Sequence, residues 1–135
     1  MGYTLGAPGD PGVRSAVVET ISREELEEKL DREKDLVLVD VLAEMYYRHS
    51  HLPGAINVPA NAIRDRAPEL VPDKDAEIVV YCMDPPCEAS ERAARELAAM
   101  GYANVRDFVG GKKDWIGAGL PAADRYYERR REGKR

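Results

Sequence analysis

Two aliphatic runs govern what this chain can fold into. Leu36-Val37-Leu38-Val39 ends at Asp40, and Ile78-Val79-Val80-Tyr81 ends at Cys82. A run apolar on both faces suits a strand covered on both sides, as in a parallel sheet. Helical patterns alternate with these runs. Ser22 and Glu25 carry the capping-box spacing ahead of a helix whose inner face is Ile21, Leu26 and Leu30. From Ser90 to Met100, Ala93, Ala94, Leu97 and Met100 fall on one face, and Gly101 ends the helix. Ala43 to Arg48 reads as a short helix, and Gly110-Gly111 precedes another through Trp115. Ala16-Val17-Val18, Ala55 to Val58 and Asn104 to Val109 complete the strands, and residues 60–75 read as a polar connection with at most two helical turns. The alternation predicts an α/β fold: a five-stranded, mostly parallel sheet with helices on both faces.

Residues 1–14 are rich in Gly and Pro and read as a flexible arm, 15–123 as the folded domain, and 124–135 as a charged tail. Arg129-Arg130-Arg131, flanked by Glu128 and Glu132, reads as a solvated part of that tail. The 135 residues suffice for one domain. A net charge of −5 argues against a nucleic-acid partner. No apolar run approaches the roughly 20 residues of a membrane helix, and Met1 to Asp10 lacks the features of a secretory leader. The expected setting is therefore cytoplasmic, as a monomer or weak dimer. Two cysteines are too few for a disulfide scaffold and are expected as free thiols.

In a parallel α/β sheet, chemistry collects at the carboxyl ends of the strands. Cys82 stands at one such end and Asp40 at another. A strand ending in Cys, then a tight loop, then a helix N-terminus turns backbone N–H groups toward the thiol and lowers its pKa. The loop residues Met83, Asp84, Pro85, Pro86, Cys87, Glu88, Ala89 and Ser90 are the candidate substrate-binding segment. Asp40 is read as a structural hydrogen-bond acceptor under that loop, and Arg92 as a side chain able to reach back toward it.

Several segments resemble the rhodanese (sulfurtransferase) family in its single-domain form. They are Leu38-Val39-Asp40-Val41, His51-Leu52-Pro53-Gly54-Ala55-Ile56-Asn57-Val58-Pro59, Val79-Val80-Tyr81-Cys82, Ser90 through Gly101-Tyr102, and Gly110-Gly111 with Trp115 and Ala118-Gly119-Leu120-Pro121. Their order matches the family's across residues 16–121. The resemblance implies a rhodanese-like fold and a mechanism. Cys82 takes a sulfane sulfur, becomes a persulfide, and passes the outer sulfur to a thiol or other nucleophile. No metal or organic cofactor is implied. The expected partners are a small sulfur donor, a persulfide-bearing thiol, or a protein donor or acceptor.

The loop departs from the family's pattern. It is two residues longer, and Ala89 occupies the place of the family's arginine. Pro85 and Pro86 lack N–H donors. Asp84 and Glu88 bring negative charge near Cys82, and Leu42 stands where the family often has arginine. These changes all disfavour small anions, so thiosulfate is not the expected best donor. Cys87 offers a second sulfur, able to attack a Cys82 persulfide and leave a disulfide. Two other readings compete. One is a rhodanese-fold binding or redox-sensing module without turnover. The other, weaker because the loop has no arginine, is an arsenate reductase or phosphatase of the same fold. His49 and His51 read as structural rather than metal-binding. Gly110-Gly111 reads as a close-packing turn, since no Lys-Ser/Thr follows as in a phosphate loop. Trp115 reads as a core or rim aromatic.

Overall fold

A computed structural model describes residues 18–32, 35–85 and 88–123. The expected arm and tail fall wholly outside these residues, as do Pro86 and Cys87. Five strands and five α-helices are described: β1 (Glu19–Thr20), α1 (Arg23–Arg32), β2 (Val37–Asp40), α2 (Glu44–His49), β3 (Ile56–Asn57), α3 (Ile63–Leu70), β4 (Glu77–Tyr81), α4 (Glu88–Ala99), β5 (Asn104–Phe108) and α5 (Gly111–Gly117). The sheet order is β1-β5-β4-β2-β3. Every pairing is parallel, so the sheet is more uniform than the expected mostly parallel one.

β4 lies at the centre because its side chains are apolar on both faces. Ile78, Val79, Val80 and Tyr81 are fully buried. Alternation along the strand sends Ile78 and Val80 to one core and Val79 and Tyr81 to the other. The first core is closed by Ile63 and Ala67 of α3 and by Ala93, Ala94 and Leu97 of α4. The second is closed by Leu26 of α1 and Trp115 of α5, with Phe108 meeting Trp115 edge to face at a centroid distance of 6.5 Å. Helices therefore cover both faces.

Three local expectations need correction. Residues 60–75 are more than a polar connection. A 3₁₀ turn at Ala60–Ala62 runs into α3, and Ile63, Ala67 and Val71, four residues apart, supply core. The capping box of α1 is half made. The Ser22 hydroxyl accepts from the Glu25 amide at 3.1 Å, but the Glu25 carboxylate turns to Arg106 of β5, in two contacts at 2.9 and 3.0 Å. A bidentate guanidinium is a stronger partner than one backbone amide, and it holds Glu25 below its ordinary pKa. The first strand is Glu19–Thr20, just past the apolar Ala16-Val17-Val18, of which Ala16 and Val17 lie outside the described residues.

Among the described residues, no helix is long and apolar enough to cross a membrane.

Candidate active site

The carboxyl ends of β2, β4 and β5 converge around Cys82. In register, Tyr81 stands between Asp40 and Phe108. Cys82 follows at once and is 4% exposed. Its carbonyl accepts from the Lys112 amide at 2.9 Å, and the Met83 carbonyl accepts from the Lys113 amide at 2.7 Å. The start of α5 thus clamps the backbone of the cysteine. Gly111 makes the approach possible. Its φ is +69°, and a Cβ there would lie 2.8 Å from the Met83 oxygen and 2.9 Å from the Cys82 oxygen. Only glycine fits that contact without displacing the cysteine. The Gly110-Gly111 pair is therefore a close-packing turn.

Below the site lies a buried polar cluster. Asp40 is fully buried. Its Oδ1 accepts from the Leu42 amide at 2.9 Å, and its Oδ2 accepts from the Tyr81 hydroxyl at 2.9 Å. That hydroxyl also accepts from the Leu52 amide at 3.0 Å. Burial raises the Asp40 pKa against the pull of these donors and of Lys112 and His51. Asp40 thus ties three segments together: β2, β4 and the turn at Leu52. Asn57 adds to the tie by donating to the Asp40 and Leu42 carbonyls at 3.0 and 2.9 Å. His51 is buried, stacks on Tyr47 at 3.8 Å and places Nδ1 2.7 Å from the Tyr47 carbonyl. Among the described residues, no group of three His, Cys, Asp or Glu could hold a metal ion.

Two lysines that the sequence reading passed over belong to the site. Lys112 is 3% exposed and donates from Nζ to the Tyr46 carbonyl at 3.0 Å. Burial lowers its pKa, opposed by Asp40. Lys113 reaches Asp84 at 3.8 Å and offsets part of the loop's negative charge. The available signal was their position, directly after a strand end and a Gly-Gly turn.

The loop residues fall in distinct places. Met83 and Asp84 are half-buried, and Pro85 is exposed. α4 begins at Glu88, two residues before the expected Ser90, so Ser90 lies inside the helix. Glu88 is exposed, and its charge in the first turn suits the helix dipole. Ala89 packs on the core around Val41 and Cys82. Ser90 is buried and bonds to the Asp107 carboxylate. The other Asp107 oxygen, Oδ1, is buried without a partner, and burial raises that carboxyl's pKa. Arg92 is exposed and lines a concavity of about 480 Å³ with Val41, Ala43, Pro59, Ala60, Asn61 and Glu96. Leu42 packs half-buried on the core around Cys82. No arginine therefore projects from that position.

Cys82 departs from expectation. Cys82 is disulfide-bonded, and none of the described cysteines is a free thiol. Composition alone pointed to free thiols. Cys87 lies outside the described residues.

The chain matches the rhodanese-like domain over residues 22–118. A sulfurtransferase from Allochromatium vinosum is 30% identical over 105 residues, 78% of this chain and 94% of that protein. The thiosulfate sulfurtransferase PspE of Escherichia coli is 37% identical over 76 residues, 56% of this chain and 70% of that protein. Several other curated relatives are longer, and the chain spans half or less of their length. Among solved structures, the BH2092 protein of Bacillus halodurans superposes with a TM-score of 0.73 at 23% identity, covering 83% of this chain and 81% of that one. That likeness supports the fold independently of sequence. On its domain match, its parallel sheet and its relatives, the chain belongs to the rhodanese-like family.

Proposed function

We propose that the chain is a sulfurtransferase in which Cys82, once reduced, carries sulfane sulfur as a persulfide. The observation that supports this most directly is the placement of Cys82. It sits at the carboxyl end of the central strand, its carbonyl fixed by Lys112, ahead of the twelve-residue helix α4. The helix N-terminus favours a thiolate over a thiol. The Cys82 thiolate attacks the outer sulfur of a donor and expels the donor's remaining thiol. An acceptor thiol then takes that outer sulfur and regenerates the thiolate. Because Cys82 must be a thiol to start, the reading places the working protein in a reducing setting such as the cytoplasm.

The donor class follows from charge. Asp84 and Glu88 follow the cysteine, in its loop and at the start of α4, and the Lys112 ammonium is engaged at the Tyr46 carbonyl. Lys113 offsets Asp84 only at 3.8 Å. A dianion such as thiosulfate meets net repulsion there, whereas the sulfane sulfur of an organic or protein persulfide does not require a basic cradle. The test is steady-state transfer of sulfur to cyanide, read as thiocyanate, from thiosulfate and from glutathione persulfide. Turnover should be higher with the persulfide and absent in Cys82→Ser. Equal turnover in that variant would end the catalytic reading. Absence of turnover in reduced wild type would favour the binding or redox-sensing module.

A further inference from the structure

The sheet order puts a crevice beside Cys82. From β2 the chain passes through α2 to β3 at one edge, and from β4 it passes through α4 to β5 on the other side. The strand order therefore reverses between β2 and β4. In open parallel sheets, ligands bind outside the carboxyl ends of the strands at such a reversal. Val41 and Cys82 stand there. They lie one step past the register pair Asp40 and Tyr81, and the Val41 amide donates to the Tyr81 carbonyl at 3.1 Å. Both pack on the same core, on the face covered by α3 and α4.

A concavity of about 480 Å³ opens on that face, a volume suited to a small organic molecule. Val41 and Ala43 line it after β2, Asn61 lines it from the 3₁₀ turn ahead of α3, and Arg92 and Glu96 line it from α4. The charges in it are unequally matched. Glu96 is held by Arg64 at 3.2 Å. Arg95 of the same helix is held by Glu91 at 2.8 Å. Arg92 is exposed and, among the described residues, pairs with no carboxylate. Ala89 packs on the core around Cys82, and Arg92 follows it three residues on along one helix face. The guanidinium thus stands on the order of one helical turn, about 5 Å, beyond the residue that shares the core of Cys82.

We propose, building on the sulfur-carrying reading of Cys82, that this concavity is the donor subsite and that Arg92 pairs there with a carboxylate of a small organic persulfide. The arrangement separates two requirements. The sulfane sulfur meets Cys82 and the acidic residues that follow it, while the donor's own negative charge rests on Arg92. A tripeptide extends about 10 Å, enough to hold its carboxylate and its sulfur at different ends of the crevice. Thiosulfate carries its charge one bond from the sulfane sulfur, so it cannot use Arg92 and reach Cys82 together. In the transfer, the Cys82 thiolate attacks the outer sulfur, the donor's sulfur–sulfur bond breaks, and the donor leaves as its thiolate.

The test uses the full reduced chain, cyanide as acceptor, and two donors: glutathione persulfide and the persulfide of glutathione diethyl ester. The donors share one skeleton and differ in their free carboxylates. After subtraction of the uncatalysed rate, wild type should favour the free acid in kcat/KM. Arg92→Ala should lower that preference by about tenfold or more, chiefly through KM, as expected for the loss of one charge-assisted hydrogen bond. Arg92→Lys should keep part of it. S-Methylglutathione, which has no sulfur to transfer, should bind wild type about tenfold more tightly than Arg92→Ala in titration calorimetry. Turnover of both donors with an unaltered preference, and equal S-methylglutathione binding, refutes the subsite and leaves the sulfur carrier standing. No turnover of either donor, with S-methylglutathione binding still weakened by Arg92→Ala, keeps the carboxylate site and removes the sulfur-transfer reading. No turnover and no binding that depends on Arg92 overturns both.

Discussion

Replacing Tyr81 by Phe should cost far more than the loss of one surface hydroxyl. The Tyr81 oxygen joins two buried partners: it donates to Asp40 at 2.9 Å and accepts from the Leu52 amide at 3.0 Å. Phe fills the same volume and removes both bonds. The Leu52 N–H and the Asp40 Oδ2 are then left without that partner in a region closed to water. Each buried orphan costs about 1–3 kcal/mol. The Asp40 share falls toward the lower bound, because the Leu42 amide still donates to its other oxygen. The expected loss is about 3 kcal/mol, or roughly 10 °C in Tm for a domain of this size. Tyr102→Phe provides the comparison. Its hydroxyl makes a single bond, to the Val71 carbonyl at 2.6 Å, and its removal should cost about 1 kcal/mol. Urea denaturation of both variants, with unchanged slopes, measures the difference. In an Asp40→Asn background the cost of Tyr81→Phe should shrink by about 1 kcal/mol, since a bond to a charged acceptor has become a neutral one. A loss below about 1 kcal/mol for Tyr81→Phe, or one equal to that of Tyr102→Phe, would refute the account of the buried cluster.

Further outcomes follow from the same geometry. Gly111→Ala should destabilise the fold by about 2 kcal/mol or more, from its positive φ and the 2.8 Å approach to the Met83 oxygen. It should also slow sulfur transfer, read as thiocyanate release, by shifting the Cys82 carbonyl. The Asp107 contribution to stability should fall as pH rises through the carboxylate range, because burial holds its folded-state pKa above the unfolded value. That contribution is full below the unfolded pKa and is lost as pH passes the folded one. In Asp107→Asn that contribution is gone, so the difference in Tm between wild type and variant should shift against wild type as pH rises. Glu88→Gln should improve thiosulfate use, read as kcat/KM, because it removes one of the two carboxylates that follow Cys82 closely in sequence. Asp84→Asn should gain less, since Lys113 already offsets that charge at 3.8 Å.

The central strand was legible because every residue from Ile78 to Tyr81 is apolar, and nothing but a two-sided core accommodates that run. The 60–75 stretch was less so. Arg64, Asp65 and Arg66 separate Ile63 from Ala67 and mask a helix whose buried positions recur only every fourth residue. Glu25 carried the right spacing for a cap, but its stronger partner, Arg106, comes from a distant strand that local pattern does not register. The same limit applies at the site. Cys82 and Asp40 were marked by their positions at strand ends. Lys112 and Lys113 join them only because β5 runs parallel to β4 and delivers its own carboxyl end to the same edge. Ser90 looked like the opening residue of a helix, yet its hydroxyl is used by Asp107 across the loop. The disulfide ran against the composition, since two cysteines are too few for a disulfide scaffold and the expected setting was reducing.

Intact-protein mass spectrometry tests the central claim most directly. The chain is reduced, exposed separately to glutathione persulfide and to thiosulfate, sampled at once, and then treated with cyanide. The account predicts a gain of one sulfur in the Cys87→Ser variant, larger with the persulfide, mapped to Cys82 and removed by cyanide. No gain from either donor, with Cys82 verified as a thiol, would contradict it.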